Sequence, residues 1–304
     1  MRVFVTGATG FVGSAIVREL IDAGHEVLGL ARSDEAAAML AAAGAAIHRG
    51  SLDDLDSLRQ GTAAADGVIH AAFIHNYSDL TAAGETDRLA VEAMGTVLAR
   101  SGRPLVVTSV IGHLTPGQLG TEESVPDTSS SAKHRAGTEE TALALASQGV
   151  RVSVVRLPLS VHGDGDTGFV PGLIQIARNK GVSGYVGDGL NRWPAVHRLD
   201  AAHLYRLALE TAPAGTVLHA IGDEGVPIRE IASIIGRHLG LPVVSIPSEE
   251  ASEHFGWLTH FVSMDIPASS SQTQEQLDWH PVHPALIPDL DREQYFTINT
   301  NGNG

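Results

Sequence analysis

Residues 3–13 read Val-Phe-Val-Thr-Gly-Ala-Thr-Gly-Phe-Val-Gly, and an amphipathic run over residues 14–23 follows directly. The β-branched and aromatic residues at 3–5 predict a short buried strand. Three glycines follow at a spacing of three: Gly7, Gly10 and Gly13. The first suits a tight turn, the second close approach of a diphosphate, and the third close packing of helix on strand. Because free N–H groups at a helix start bind such an anion, this stretch predicts a dinucleotide site.

Composition restricts the partners and the compartment. The 304 residues include 20 Lys and Arg against 35 Asp and Glu, a formal net charge of −15. This acidity disfavours nucleic acid and anionic membranes as partners. The chain has no cysteine, which excludes disulfides, thiolate metal sites and a cysteine nucleophile and suits a reducing cytoplasm. Because no apolar run reaches membrane-spanning length and no signal sequence precedes the first strand, we expect a soluble cytoplasmic protein.

Apolar runs alternate with helical periodicity along the chain. The predicted strands cover residues 3–5, 25–31, 45–48, 67–73, 104–110, 150–157 and 216–221. The predicted helices cover residues 14–23, 34–43, 54–60, 83–101, 131–148, 169–180 and 227–239. Strands separated by helices imply right-handed crossovers, so we predict an α/β fold with a Rossmann-type doubly wound parallel sheet and helices on both faces.

The regular alternation of strands and helices ends after residue 157, which predicts a smaller C-terminal substrate lobe. Residues 1–158 are predicted to form the dinucleotide-binding domain, to which 196–221 return, and residues 159–195 and 222–292 to form the lobe. Within the lobe, 158–166 is predicted as loop and 181–193 as a glycine-rich polar segment. The polar end of the chain, 293–304, is predicted to be a disordered tail.

Five segments in this order resemble motifs of the extended short-chain dehydrogenase/reductases, which include nucleotide-sugar epimerases and dihydroflavonol-type reductases. They are Thr-Gly-Ala-Thr-Gly-Phe-Val-Gly at 6–13, Asp-Gly-Val-Ile-His-Ala-Ala at 66–72, Arg-Leu-Pro-Leu-Ser-Val-His-Gly at 156–163, Val-His-Arg-Leu-Asp-Ala-Ala at 196–202 and Gln-Leu-Asp-Trp-His-Pro at 276–281. The resemblance implies a set of cofactor-binding residues: Thr6, Gly7, Thr9, Gly10, Phe11, Val12, Gly13, Leu52, Ala71, Ala72, Phe73 and Pro158.

The end of the second predicted strand indicates which cofactor binds. In NAD-preferring relatives an acidic residue there accepts hydrogen bonds from the ribose 2′-OH and repels a 2′-phosphate. Here that place falls on Ala31, followed by Arg32 and Ser33. A guanidinium without a competing carboxylate suits a phosphate, so we expect NADP(H).

The chain departs from the family's catalytic Tyr-x-x-x-Lys pair. None of its four tyrosines, Tyr77, Tyr185, Tyr205 and Tyr295, has a lysine four residues later. The resemblance puts Ser129 in the tyrosine's place and Lys133 in the lysine's, with His134 open if the register shifts by one. The catalytic serine's place falls on Val110, directly after Ser109. Glu92 stands where the family usually has an asparagine.

Other residues must then protonate the substrate oxygen. The loop after the fourth predicted strand opens at the sheet edge where ligands bind, which makes His75 and Tyr77 candidate proton donors. His113, just past the fifth predicted strand, is a third candidate. Ser109 is a candidate hydrogen-bond donor, and Lys133 a candidate contact of the cofactor ribose. The scattered histidines show no metal-binding spacing, so no metal is expected.

We therefore predict an NADP(H)-dependent oxidoreductase, a reductase of carbonyl or imine compounds. Two alternatives stay open: a non-catalytic NADP(H)-binding sensor, because the tyrosine is missing, and a sugar epimerase or dehydratase. A hydrophobic small-molecule substrate is expected from the apolar and aromatic residues of the lobe, and a homodimer is left open. Those residues are Phe169, Val170, Tyr185, Trp193, Phe255, Trp257 and Phe261.

Overall fold

The computed structural model describes residues 1–75, 79–127, 130 and 132–297. The strands in these residues are β1 (Arg2–Thr6), β2 (Glu26–Ala31), β3 (Ala46–Arg49), β4 (Gly67–His70), β5 (Pro104–Val110), β6 (Arg151–Leu157), β7 (Ser160–His162), β8 (Ser183–Val186), β9 (Arg192–His197), β10 (Thr216–His219), β11 (Asp223–Pro227) and β12 (Val243–Ile246). The helices are α1 (Phe11–Asp22), α2 (Asp34–Ala42), α3 (Leu55–Ala63), α4 (Leu80–Leu98), α5 (Lys133–Ala144), α6 (Phe169–Lys180), α7 (Arg198–Thr211), α8 (Ile228–Leu239), α9 (Ala251–Phe255), α10 (Thr259–Val262), α11 (Ser271–Leu277) and α12 (Leu286–Leu290).

Seven strands form one parallel sheet in the order β10-β6-β5-β4-β1-β2-β3. Crossover helices cover both faces of such a sheet, which is why β1 and β5 are buried almost throughout and read as continuous apolar runs. One apolar core lies between the sheet and α1 and α7, and another between the sheet and α3, α4 and α5. The predicted Rossmann-type doubly wound fold is confirmed. Because these seven strands are parallel, their carboxyl ends all lie at one side of the sheet, called here the carboxyl edge.

A smaller lobe lies beyond β6. It contains a three-stranded sheet, β11-β9-β7, and a two-stranded sheet, β12-β8. Helices α6 and α8 pack with these strands around a third apolar core. Among the described residues, no helix is both long enough and apolar enough to cross a bilayer.

The structure corrects several predicted boundaries. The fourth strand, predicted through residue 73, ends at His70. The predicted loop 158–166 contains β7, and the segment 181–193 contains β8 and the start of β9. These strands are three to six residues long and are defined by their pairing within the lobe, which a local pattern does not contain.

The predicted start of a disordered tail at residue 293 is wrong. Glu293–Tyr295 form a 3-10 turn, and the Tyr295 hydroxyl lies 2.8 Å from Asp289 Oδ2. The backbone N–H of Gly163 also donates to that hydroxyl, at 2.9 Å. Residues 298–304 lie outside the described part of the chain.

The first strand and helix meet through two glycines. Gly7 has a φ of +67°, the left-handed conformation that a tight turn after β1 requires. A Cβ added to Gly13 would lie 1.9 Å from the carbonyl oxygen of Gly7. Glycine at 13 therefore lets α1 start directly against this turn, and the predicted roles of Gly7 and Gly13 are confirmed.

We expect Gly13→Ala to lower the free energy of unfolding by about 1–3 kcal/mol or more, because the backbone contact leaves no room for a methyl group. The matched control is Gly137→Ala on α5, where an added Cβ meets nothing within 4 Å. That control should gain up to about 1 kcal/mol from helix propensity. Urea unfolding of both variants measures the difference, and equal midpoints would contradict the packing argument.

Candidate active site

The glycine turn between β1 and α1 is the segment predicted to bind a diphosphate. The N–H of Gly10 donates to the Gly7 carbonyl at 2.9 Å, and Gly10 is the N-cap of α1. The first N–H groups of α1, including those of Phe11 and Val12, have no acceptor within the helix. Gly7, Thr9, Gly10, Phe11 and Val12 keep surface exposure at this rim. Buried Thr6 and Gly13 instead shape the backbone beneath it.

Two arginines stand at the carboxyl ends of β2 and β3. Ala31 is buried and Arg32 is exposed. Arg49 is paired with Ala31 in the sheet register, and its guanidinium forms an ion pair with Asp34. The sequence reasoning missed Arg49. The Ser33 hydroxyl accepts the Ala36 N–H at 3.1 Å, so this predicted cofactor residue also caps α2.

The remaining predicted cofactor residues line the same side of the sheet. Leu52 is half-buried against the core beneath β3 and α3. Ala71, Ala72 and Phe73 are half-buried directly after β4, and Pro158 is buried directly after β6. A Cβ on Gly7 would lie 2.7 Å from the Ala72 nitrogen, so the turn after β1 and the loop after β4 are in close contact.

A buried polar network behind this rim was not predicted. His70 lies 2.8 Å from the Thr6 hydroxyl through Nδ1 and 2.9 Å from Asp87 Oδ1 through Nε2. Arg135 donates to Asp87 Oδ2 at 2.9 Å and to the Thr108 carbonyl at 2.6 Å. The network joins β1, β4 and β5 to α4 and α5.

Charges in this network compensate one another. Burial alone raises the pKa of Asp87, but the Arg135 charge and the contacts with His70 outweigh it and leave the pKa below its usual range. Asp87 is therefore a carboxylate at neutral pH. It accepts from His70 Nε2–H, and the Thr6 hydroxyl donates to His70 Nδ1, an assignment that satisfies every partner. The Tyr205 hydroxyl lies 2.7 Å from that of Thr108, which itself donates to the His70 carbonyl.

The guanidinium of Arg135 also lies over the ring of Phe73. Its guanidinium carbon lies 4.3 Å from the ring centroid. The rings of His75 and His134 lie 5.4 and 5.9 Å from the same centroid. The structure thus brings together Phe73, His75 and His134. Lys133, predicted to touch the ribose, is an exposed residue at the first position of α5, and the cation that this helix buries is Arg135.

A second buried cluster contains two predicted residues. Arg156 forms an ion pair with Glu139 behind the carboxyl ends of β5 and β6, and His113 Nε2 lies 3.5 Å from that carboxylate. Burial lowers the pKa of His113 to about 4, with the Arg156 charge adding to the effect and Glu139 opposing it. His113 is fully buried and neutral at pH 7, which disfavours it as a proton donor. Ser109 is buried beside Glu139.

Other predicted positions fall elsewhere. His75 is exposed, two residues beyond Phe73 in the loop after β4. Glu92 is exposed on the outer side of α4 and pairs with Arg88 at 3.2 Å, whereas Asp87 faces the sheet. Tyr77 and Ser129 lie outside the described residues.

Three residues near the start of α7 resemble a metal-ligand set. Ligand atoms of His197, Asp200 and His283 lie within 4.8 Å of one another. The His197 and His283 rings are stacked, with centroids 4.8 Å apart and planes 10° from parallel. Since ring nitrogens bind metals in the ring plane, two stacked rings direct their lone pairs along separate planes. Asp200 already accepts hydrogen bonds from His283 Nδ1 and two backbone N–H groups, so the cluster does not fit a metal site.

We expect Asp87→Asn to cost about 3–5 kcal/mol of stability, because it leaves the Arg135 charge buried without a counter-charge. The control is Glu85→Gln, which breaks an exposed pair with Arg88 on the same helix and should leave the unfolding midpoint nearly unchanged. Because the folded pKa of Asp87 is depressed, its contribution exists above the unfolded value of about 4 and is lost as the pH falls through the folded value. Urea unfolding at pH 7 and at lower pH tests both statements, and a midpoint unchanged by Asp87→Asn would contradict them.

Comparison with known proteins identifies the family. The model of the "NAD dependent epimerase/dehydratase family" matches residues 3–220. The chain is 53% identical to an uncharacterized protein of Schizosaccharomyces pombe, over 97% of this chain and 100% of that protein. It is 31% identical to the 4-hydroxy-2-methyl-3-oxo-4-farnesyl-3,4-dihydroquinoline-1-oxide ketoreductase of Stigmatella aurantiaca, over 84% of this chain and 80% of that protein.

The fold is similar to that of a solved dTDP-glucose 4,6-dehydratase of Streptomyces venezuelae with NAD bound. The TM-score is 0.78 at 22% identity, and the match covers 97% of each chain. This likeness concerns the fold, while the family model and the ketoreductase match concern the sequence itself. The chain therefore belongs to the NAD-dependent epimerase/dehydratase family and is an NAD(P)-dependent oxidoreductase of the extended short-chain dehydrogenase/reductase type.

Proposed function

We propose that the protein is an NADP(H)-dependent reductase that acts on the carbonyl, or imine, carbon of a small hydrophobic compound. The observation that carries the cofactor preference is the end of β2, where buried Ala31 replaces a carboxylate and Arg32 is exposed. Asp34 lies close by on α2 but is paired with Arg49, which offsets its repulsion of a 2′-phosphate. The guanidinium of Arg32 can donate two parallel hydrogen bonds to a phosphate.

The residues present fit a dinucleotide. The N-terminal N–H groups of α1 suit a diphosphate, and a Cβ on Gly10 would meet protein within 4 Å at one atom, the Gly7 oxygen at 3.2 Å. The outer side of Gly10 is therefore open to a ligand. Ala71, Ala72 and Phe73 would border the ribose and nicotinamide. A bound nicotinamide would supply the hydride.

The chain itself must orient the acceptor and protonate its oxygen. His75 combines exposure with a position in the loop after β4. Loss of hydration and the Arg135 charge both lower the pKa of His75, while a hydrogen bond that the His75 imidazole donates to the backbone of Phe73 opposes them. We propose His75 as the donor, with Tyr77 as the competing candidate. Ser109 would act from its buried position as a hydrogen-bond donor.

The aromatic side of the lobe supports a hydrophobic substrate. The Phe169 ring lies 4.5 Å from that of Phe261 and 5.9 Å from that of Trp257, which is 51% exposed. Phe261 and Leu159 both pack against a small apolar cluster that includes Ile111, the residue directly after β5. The predicted surface residues Val170, Trp193 and Phe255 are instead buried in the lobe core. The ketoreductase name of the Stigmatella relative supports carbonyl reduction.

The alternative is a non-catalytic NADP(H) sensor. It is favoured by the serine at position 129, where the family has its catalytic tyrosine. A protein that binds NADPH tightly but reduces no member of a broad panel of ketones, aldehydes and imines would support the sensor. Turnover of any of them, followed by nicotinamide absorbance, supports the reductase.

Arg32→Ala should weaken NADPH binding by about 1.5–3 kcal/mol and leave NADH binding unchanged, because NADH lacks the 2′-phosphate. Arg59→Ala, which removes an exposed cation paired with Asp56 on α3, is the matched control and should change neither affinity. Calorimetry with both cofactors measures the effect. Equal affinities for NADPH and NADH in the parent protein would contradict the proposed preference.

His75→Gln should lower kcat by about 10²–10⁴-fold if His75 is the general acid. A histidine donates only while protonated, so the parental rate should fall as the pH rises through a value below about 6.5, the ordinary histidine pKa. A phenol donor at Tyr77 would sustain the rate to much higher pH. His280→Gln, an exposed histidine in the C-terminal segment, is the control.

Pre-steady-state rates of hydride transfer for His75→Gln, His113→Gln and Tyr77→Phe assign the donor. If Tyr77→Phe alone is impaired, the donor is the phenol. If all three variants keep the parental rate and pH profile, none of these side chains protonates the product.

A further inference from the structure

Arg198 places a cation at the start of α1. It is the first residue of α7, and its guanidinium carbon lies 4.9 Å from the centroid of the Phe11 ring. Phe11 is in turn the first residue of α1, where the diphosphate cradle begins. Arg198 is half-buried, so one side of it faces solvent. The two residues are 187 positions apart in the sequence, Phe11 in the motif at 6–13 and Arg198 in the motif at 196–202.

A glycine-rich loop holds Arg198 in this position. Its Nη1 donates to the backbone carbonyl of Asp164 at 2.8 Å. Gly163 has a φ of +132°, and a Cβ there would lie 3.2 Å from Arg198 Cγ and 2.9 Å from His197 Nε2. The loop can therefore approach Arg198 this closely because residue 163 is glycine.

The charge of Arg198 is not neutralised by the described part of the chain. No carboxylate among the described residues lies within 4 Å of its guanidinium, and the Asp164 side chain pairs with Arg292 instead. The hydrogen bond that holds Arg198 goes to a neutral backbone carbonyl, that of Asp164, and it uses one guanidinium nitrogen, Nη1. In a chain with a net charge of −15, such a cation beside a predicted anion site indicates a role in binding.

Two helix N-termini add to the positive potential there. Phe11, the first residue of α1, contacts Arg198, the first residue of α7. Eight residues further along each helix, Glu19 of α1 forms an ion pair with Arg206 of α7 at 2.7 Å. Helices α1 and α7 therefore run side by side in the same direction, and both begin at the carboxyl edge. Their positive ends are adjacent.

We infer that Arg198 binds the diphosphate of the dinucleotide, opposite the N–H groups of α1. This inference rests on the proposed function in placing a nicotinamide dinucleotide at that cradle. Arg198 and Arg32 would then recognise different phosphates: Arg198 the diphosphate common to NADH and NADPH, and Arg32 the 2′-phosphate of NADPH. The aliphatic part of Arg198 and the Phe11 ring would cover one side of the bound diphosphate.

The test uses Arg198→Met, which keeps the apolar contact with Phe11 and removes the charge. Calorimetry of the full chain should show binding of ADP, NADH and NADPH weakened by about 10- to 100-fold. Adenosine 2′-monophosphate, which has no diphosphate, should bind as it does to the parent. Arg32→Ala should show the opposite pattern, with weaker adenosine 2′-monophosphate and NADPH and unchanged ADP and NADH.

Arg206→Met is the matched control, because it removes the same charge two turns along the same helix. It should leave ADP affinity at the parental value, and thermal unfolding of each variant verifies the fold. Arg198→Lys, which keeps the charge, should retain more ADP affinity than Arg198→Met. Parental ADP affinity in Arg198→Met, or an equal loss of adenosine 2′-monophosphate, overturns the inference. Absence of selectivity in Arg32→Ala contradicts the NADP preference alone.

Discussion

Asp87 and Arg135 meet at 2.9 Å behind the carboxyl edge of the sheet, and both are almost completely removed from water. A buried charge is costly unless it is paired and its remaining hydrogen bonds are made. Here His70 takes the second oxygen of Asp87, and the Thr108 carbonyl accepts from Arg135. Because these partners come from β4, β5, α4 and α5, the ion pair and its hydrogen bonds tie these four elements together. The position of the candidate site depends on that arrangement.

The same network supports the loop after β4, which contains Phe73 and His75. Arg135 supports the Phe73 ring, and the loop after β4 continues from there to His75, so a buried charge orients an exposed histidine. The cation that contacts Phe73 in this loop is thus internal and already paired with Asp87. Lys133, two residues earlier on α5, is exposed.

Three arginines of this acidic chain stand around the place where a dinucleotide is proposed to bind. Arg32 and Arg49 stand at the ends of β2 and β3, and Arg198 stands at the start of α1. The parallel helices α1 and α7 direct their positive ends to the same place. Since the net charge of −15 repels anions in general, binding of a phosphorylated ligand would depend on this local arrangement rather than on the overall charge.

The sequence by itself determined the order of strands and helices from β1 to β6, the bounds of β5 and α6, and the glycine turn after β1. These features depend on local periodicity and on backbone conformations that glycine alone adopts readily. Position 87 lies on a helix that the sequence identified, but no local pattern shows that its carboxylate faces Arg135, 48 residues later. The short strands of the lobe and the contact of Arg198 with Phe11 were equally hidden. Tertiary structure decided them, because pairing partners, burial and the neutralisation of charge are set by residues far apart in the chain.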